Sequence, residues 1–398
     1  MAALHHIYLV PGMFGFGRLA GYDYFHHVRE ALRERFEIRG QGCVTHIVAT
    51  APTSSLRLRA RILAETVQDT AGADDAPIHL VGHSTGGLDV RLVLSPSSNL
   101  GIAHGLTGWV PRTQSAITMS CPHFGTPLAG YFSTVSGTRV LYALSLLTVL
   151  SLSLGGPSLA VFSKLLGALG GVDSLLGGDL KLVSRVTDLA LRFVDKAGRA
   201  EISGFLEKVQ SDQGGIIQIM PEAMDLFNAS TENNAAVRYG SVATSAPFPQ
   251  PTRLIRRIWH PSAALTAALY STLYQFTSQK PRTYPYAEPS EEQARMLSWC
   301  GSEPVTPRSN DGVVPTLSMV WGKLIWCGEG DHLDVLGHFH DDQKPRQHID
   351  WMTSGARFNR ERFASLMDAV ARFQLEDLDR SDSGQKDSSR RPPLAQDR

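Results

Sequence analysis

The sequence predicts an α/β fold: a mostly parallel sheet with helices on both faces. Two observations carry that prediction. Short apolar runs alternate with amphipathic helical runs through the first 130 residues, and the alternation returns from residue 237 onward. The length agrees, since 398 residues exceed one average domain and suit a single large α/β domain with an insertion.

The elements justify themselves in order. HHIYLV (5–10) is a short strand, followed by a Gly-rich turn and an amphipathic helix over 22–36. VTHIVATA (44–51) reads as a second strand, and 54–72 as a helix with Ser at its start and Gly at its end. A strand follows at 77–84, a helix over 85–94 and a strand at 115–120. From 131 to 236 the text turns Leu, Gly and Ser-rich and helical, which reads as an insertion forming an apolar cap. VRYGSVATS (237–245) and GKLIWCG (322–328) restore the strands, so 1–130 and 237–375 form the two halves of the core. The polar, Pro-containing residues from Glu376 to 398 are expected to be a disordered tail.

Composition removes several classes. With 42% hydrophobic residues the chain can build a large core, and 38 basic against 38 acidic residues leave no field to draw it to nucleic acid. Four cysteines are too few for a disulfide scaffold and fit no zinc spacing. The opening MAALHHIYLVPG lacks the layout of a secretory signal, which favours the cytoplasm, with leaderless secretion or membrane association as alternatives. Between Arg139 and Lys164 no residue is charged. That length could cross a bilayer, but Gly155, Gly156 and Pro157 interrupt it, so buried helices or an apolar flap over a site compete with a span.

The sharpest local feature is Gly82-His83-Ser84-Thr85-Gly86, a G-x-S-x-G pentapeptide between an apolar run and a helical one. The string alone is weak, but strand, tight turn and helix are what a nucleophile elbow requires. A serine hydroxyl needs a base to take its proton, and the base needs a carboxylate to hold its tautomer. In the chain order Ser, acid, His, the later residues offer Asp311 in an N-D-G turn and His332 after a strand. His338, His340 and His348 are rivals in what reads as a solvated loop, and Asp331 and Asp334 flank His332 too closely to orient it. Backbone N–H groups of Met13, in the early Gly-rich turn, and of Thr85, after the serine, fit the two places of an oxyanion hole. This chemistry calls for no cofactor.

In pieces spanning nearly the whole folded chain, the text resembles bacterial triacylglycerol lipases of the α/β-hydrolase fold, especially the proteobacterial true lipases. LVPGMFGFGRLAGYDYF (9–25) looks like their oxyanion segment, IHLVGHSTGGLDVR like their elbow, and ITMSCPHFGTPLAG (117–130) like the strand and turn after it. MPEAMDLFN, VRYGSVATS, NDGVV and DHLDVLGHF are also similar. The resemblance implies cleavage of acylglycerol esters through an acyl-enzyme on Ser84, with Asp311 and His332 completing the triad. It implies a lid in the insertion that contacts lipid surfaces through residues 140–170. It also implies a structural calcium, for which Asp334 holds one position and Glu288, in place of the family's Asp, the other. The family's His-Gly oxyanion pair is Pro11-Gly12 here, and the cysteines do not fall where the family's disulfide does. Cys300 and Cys327, which bracket Asp311, either pair or lie buried as free thiols. A short-chain esterase, phospholipase or acyltransferase would use the same triad. A non-catalytic membrane or partner-binding protein on the same fold is the reading from another class.

Overall fold

The computed structural model describes residues 4–134, 196–249, 261–341, 350 and 354–388, apart from 14, 16, 17, 20, 21, 72, 280–282 and 302, together with 141, 145 and 191. Strand β1 (Leu4–Val10) is followed by a two-stranded ribbon, β2 (Arg18–Leu19) and β3 (Tyr22–Asp23), and by helix α1 (His26–Ile38). Then come β4 (Gly42–Ile47), α2 (Leu56–Ala71), β5 (Ile78–His83), α3 (Gly86–Leu94), β6 (Thr113–Met119) and α4 (Pro127–Phe132). Helices α5 (Lys196–Ser211), α6 (Gly214–Gln218) and α7 (Pro221–Ser230) precede β7 (Arg238–Ser245). The chain continues through α8 (Pro261–Thr277), α9 (Glu291–Leu297), β8 (Lys323–Glu329) and α10 (Arg360–Ser388).

Six of these strands form one parallel sheet in the order β4-β1-β5-β6-β7-β8. Strand β5 is buried at every position, as a central strand covered on both faces must be, whereas the edge strand β4 has no fully buried residue. Side chains of β1 alternate between two cores. Ile7 and Leu9 join Val28, Leu32 and Phe36 of α1 and Leu366 and Val370 of α10, while Tyr8 and Val10 join Leu63 and Val67 of α2 and Val90 and Leu94 of α3. From β1 the chain moves outward to β4 and then returns past β1 to β5. The strand order therefore reverses at β1 and β5, and the crevice outside their carboxyl ends is where such sheets place ligands.

Several boundaries differ from the sequence reading. Helix α1 starts at His26, because Tyr22 and Asp23 pair with Leu19 and Arg18, and Asp23 accepts the Phe25 N–H while pairing with Arg29. Strand β4 begins at Gly42 in register with Leu4 and ends at Ile47, short of the predicted 51. Where a disordered tail was expected from Glu376, α10 runs on to Ser388, since extending a helix already anchored by Leu366 and Val370 costs far less than starting one. Cys300 and Cys327 are joined in a disulfide, which ties the residues after α9 to β8 and resolves the choice left open by the sequence. Apart from Leu141 and Ser145, the uncharged stretch 139–164 lies outside the described residues. Among the described residues, no helix is long and apolar enough to cross a membrane.

Candidate active site

The turn between β5 and α3 carries Ser84 at φ 53, a left-handed conformation that costs a non-glycine residue of order 1–3 kcal/mol. Its surroundings explain the glycines. A side chain at Gly82 would meet the Gly86 carbonyl oxygen at 2.4 Å, and one at Gly86 would meet the Val10 carbonyl oxygen at 2.2 Å. The Ser84 N–H donates to the Met119 carbonyl at 2.8 Å, which fastens the turn to β6. Helix α3 starts at Gly86 with Thr85 as its N-cap, so the positive end of the helix dipole lies beside the serine.

On the β1 side, Gly12 is pressed against Ser84: a Cβ there would lie 2.6 Å from Ser84 Cβ and 3.1 Å from its Oγ. Ser84, Thr85, Met13 and His332 line one cavity with Gly12 and Tyr24. The remaining walls are mostly apolar, among them Leu128, Phe132, Ile219, Leu273, Val314 and Leu333. Neither the Met13 N–H nor the Thr85 N–H has a protein acceptor among the described residues. Two unspent donors therefore sit at the edge of an apolar cavity, which is the arrangement that stabilises a developing oxyanion.

Asp311 and His332 meet as the chain order suggested. His332 Nδ1 lies 2.7 Å from Asp311 Oδ2, and the His332 N–H donates to the Asp311 carbonyl at 3.1 Å. Asp311 Oδ1 accepts the N–H groups of Val313 and Val314, so the N-D-G turn itself fixes the carboxylate. With Nδ1 directed at Asp311, Nε2 is the ring nitrogen left for chemistry, and His332 lines the same cavity as Ser84. Of the rival histidines, His338 is buried rather than solvated, because Gly337 at φ 92 turns the loop against the His27 ring of α1. His340 is exposed, and His348 lies outside the described residues.

The two residues that the resemblance assigns to calcium differ in their surroundings. Asp334 is buried, its Oδ2 accepts the Asp331 N–H at 2.8 Å, and burial together with the neighbouring Asp331 and Asp350 charges drives its carboxyl well above the carboxylate range. Glu288 is exposed and lines a hollow with Trp321 and Gly322. Among the described residues, the one group of three metal-binding side chains is His26, His27 and Glu30, which includes neither.

Two supporting elements escaped the sequence reading. Arg59 of α2 and Asp89 of α3 form a fully buried ion pair at 2.7 Å, and the same guanidinium donates to the Pro11 carbonyl at 2.6 Å, holding the turn that carries Met13. Burial outweighs the attraction of Arg59 and pushes the Asp89 carboxyl up to about 6. Arg59 lies in the helix predicted over 54–72, where nothing local marks it for burial. The available signal was Asp89, a lone carboxylate inside the apolar GGLDVRLVL. The second element is His83, whose Nε2–H donates to the His332 carbonyl at 2.9 Å while Nδ1 accepts the Tyr24 hydroxyl at 3.0 Å. Burial, then the nearby His332, lowers His83 well below an ordinary imidazole, so it bridges the two loops in its neutral form.

A parallel sheet with its order reversed at β1 and β5, a strained serine at the reversal and an acid–histidine pair on later loops together define the fold. The chain has an α/β-hydrolase fold. No protein-family model matches this chain. It is similar to a triacylglycerol lipase of Vibrio cholerae serotype O1, at 34% identity over 95 residues; the match covers 24% of this chain and 28% of that enzyme. Among solved structures, Staphylococcus hyicus lipase is 15% identical with a TM-score of 0.48, covering 94% of this chain and 97% of that one. EstA from Clostridium botulinum is 17% identical with a TM-score of 0.45, covering 91% and 87%. The resemblance to bacterial lipases read from the sequence has a counterpart in the 95 residues matched to the Vibrio cholerae enzyme.

Proposed function

We propose that this chain is a serine carboxylic-ester hydrolase of the lipase type, acting on acylglycerol esters. The observation that carries the reading is the strained Ser84 sharing an apolar cavity with His332, itself bonded to the buried Asp311. As Ser84 Oγ attacks the ester carbonyl carbon, His332 Nε2 takes the hydroxyl proton and Asp311 stabilises the imidazolium. The Met13 and Thr85 N–H groups hold the resulting oxyanion. When the carbonyl re-forms, the C–O bond to the alcohol breaks and His332 returns its proton to the leaving oxygen. Water then attacks the acyl-enzyme along the same path and releases the acid. The mostly apolar walls favour a hydrocarbon acyl chain over a charged one.

A cation bound at Asp334 would neutralise a buried acidic loop next to His332 and hold that loop in place. The Cys300–Cys327 bridge favours an oxidising compartment over the cytoplasm.

Hydrolysis of an acyl-ester series from short to long chains, below and above substrate solubility, tests the reading with Ser84→Ala alongside. A serine-dependent rate that rises on emulsified long chains is expected. A rate confined to soluble short chains would make the chain an esterase, and no serine-dependent rate would leave a binding protein on a hydrolase fold.

A further inference from the structure

Asp311 is held by more than its histidine. The carboxylate is fully buried, with Oδ1 accepting the Val313 N–H at 2.9 Å and the Val314 N–H at 2.7 Å. Oδ2 faces His332 Nδ1 at 2.7 Å and accepts the Thr244 hydroxyl at 3.3 Å. A carboxylate has about four lone-pair sites, so these four donors saturate it.

Thr244 stands on β7 with no exposed surface, and its hydroxyl hydrogen has three acceptors within reach, Asp311 Oδ2 at 3.3 Å, the Ser120 hydroxyl oxygen at 3.0 Å and the Met319 sulfur at 3.6 Å. A charged oxygen is much the stronger acceptor, so the proton points at Asp311. Thr244 Oγ1 keeps its own lone pairs, and the buried Ser120 hydroxyl lies 3.0 Å away, placed to donate to one of them.

Ser120 supplies an independent observation. It sits at φ 50 just beyond β6, as Ser84 sits at φ 53 just beyond β5, and its N–H donates to the Val242 carbonyl of β7 at 3.1 Å. Glycine would adopt that backbone without strain. A serine there carries a cost that its hydroxyl contact offsets.

We propose that Ser120 and Thr244 are positioning residues for the triad, a buried hydroxyl relay that keeps Asp311 Oδ2 aimed at His332. The proposal rests on the reading of Asp311 and His332 as acid and base for Ser84. The relay runs Ser120 to Thr244 to Asp311: Ser120 follows β6, Thr244 lies at the carboxyl end of β7, and Asp311 stands in the turn between α9 and β8. Because Oδ1 is bound to its own turn, Oδ2 alone faces the histidine; without Thr244 that oxygen has one donor and the carboxylate is free to rock about its Oδ1 bonds.

The test compares Thr244→Val, which keeps the shape and removes the hydroxyl, with Thr244→Ser, which keeps the hydroxyl, on a soluble nitrophenyl ester. Thr244→Val should lower kcat by about 10- to 100-fold, the range for losing one hydrogen bond to a buried charge, with KM within about twofold. Thr244→Ser should recover kcat to within about threefold of wild type if the hydroxyl is what matters. Ser120→Gly separates function from folding: it relieves the backbone, so the melting temperature should hold or rise while kcat falls. Unchanged kcat in Thr244→Val, equal losses in Val and Ser variants, or unchanged kcat in Ser120→Gly would each overturn the relay. Ser84→Ala in the same assay keeps the two readings apart. If it stays active the triad itself fails; if it is dead while Thr244→Val is unaffected, only the relay fails.

Discussion

Substituting Gly12 by alanine places one methyl group against the nucleophile. The added carbon would lie 2.6 Å from Ser84 Cβ and 3.2 Å from the His83 carbonyl oxygen, whereas carbon atoms rest at about 3.5–4.0 Å. Ser84 sits on a strained turn fastened to Met119 and cannot yield freely, so the early turn must retreat by about 1 Å and take the Met13 N–H with it. A shift of that size costs about 10²-fold, and loss of one oxyanion donor about 10²–10³-fold. The expected result is a fall in kcat/KM of at least about 10²-fold, with overpacking lowering stability by only about 1–3 kcal/mol. Steady-state hydrolysis of a soluble ester and urea unfolding measure the two effects. Gly204→Ala is the control: it lies within α5 with open space around it, and should add about 0.5–1 kcal/mol of stability with no change in rate. If Gly12→Ala kept its rate within about threefold of wild type, the pairing of this turn with Ser84 would be wrong.

Other outcomes follow from the same geometry. Arg59→Met strands the buried Asp89 and frees the Pro11 carbonyl, so it should cost about 3–5 kcal/mol in urea unfolding, and a loss under 1 kcal/mol would contradict the ion pair's role. His123 is held well below an ordinary imidazole by burial and then by Arg91, so it stays neutral in the folded chain while the unfolded chain protonates near pH 6.5. Unfolding free energy should therefore decline as pH falls below that value, and His123→Gln should flatten the decline by up to about 1.4 kcal/mol per pH unit; an unchanged slope would refute it. Calcium should raise the melting temperature of the wild type and of Glu288→Gln but not of Asp334→Asn. A chelator that alters neither melting temperature nor activity in the wild type would remove the cation.

The residues that were legible in the sequence are those whose chemistry or periodicity is local. The elbow could be read because an apolar strand, two glycines and a helix adjoin Ser84, and Asp311 and His332 because an N-D-G turn and a histidine after a strand follow in the required chain order. What stayed hidden depends on contacts between distant segments. Arg59 and Asp89 are 30 positions apart, and Tyr24, His83 and His332 come from a loop, the end of β5 and a second loop, so no window contains them. The end of β4 was misplaced because VATA continues an apolar run that only the pairing with β1 terminates at Ile47. The HFH segment read as solvent-facing from its polar neighbours, and only the turn at Gly337 puts His338 inside.

The central claim is that Ser84 is the nucleophile. Incubation with a nitrophenyl alkylphosphonate, followed by mass analysis of the intact chain and its peptides, tests it directly. The account expects one adduct per chain on the peptide that contains Ser84, with activity lost in step and no adduct in Ser84→Ala. An adduct on another residue, or inactivation that proceeds equally in Ser84→Ala, would contradict it.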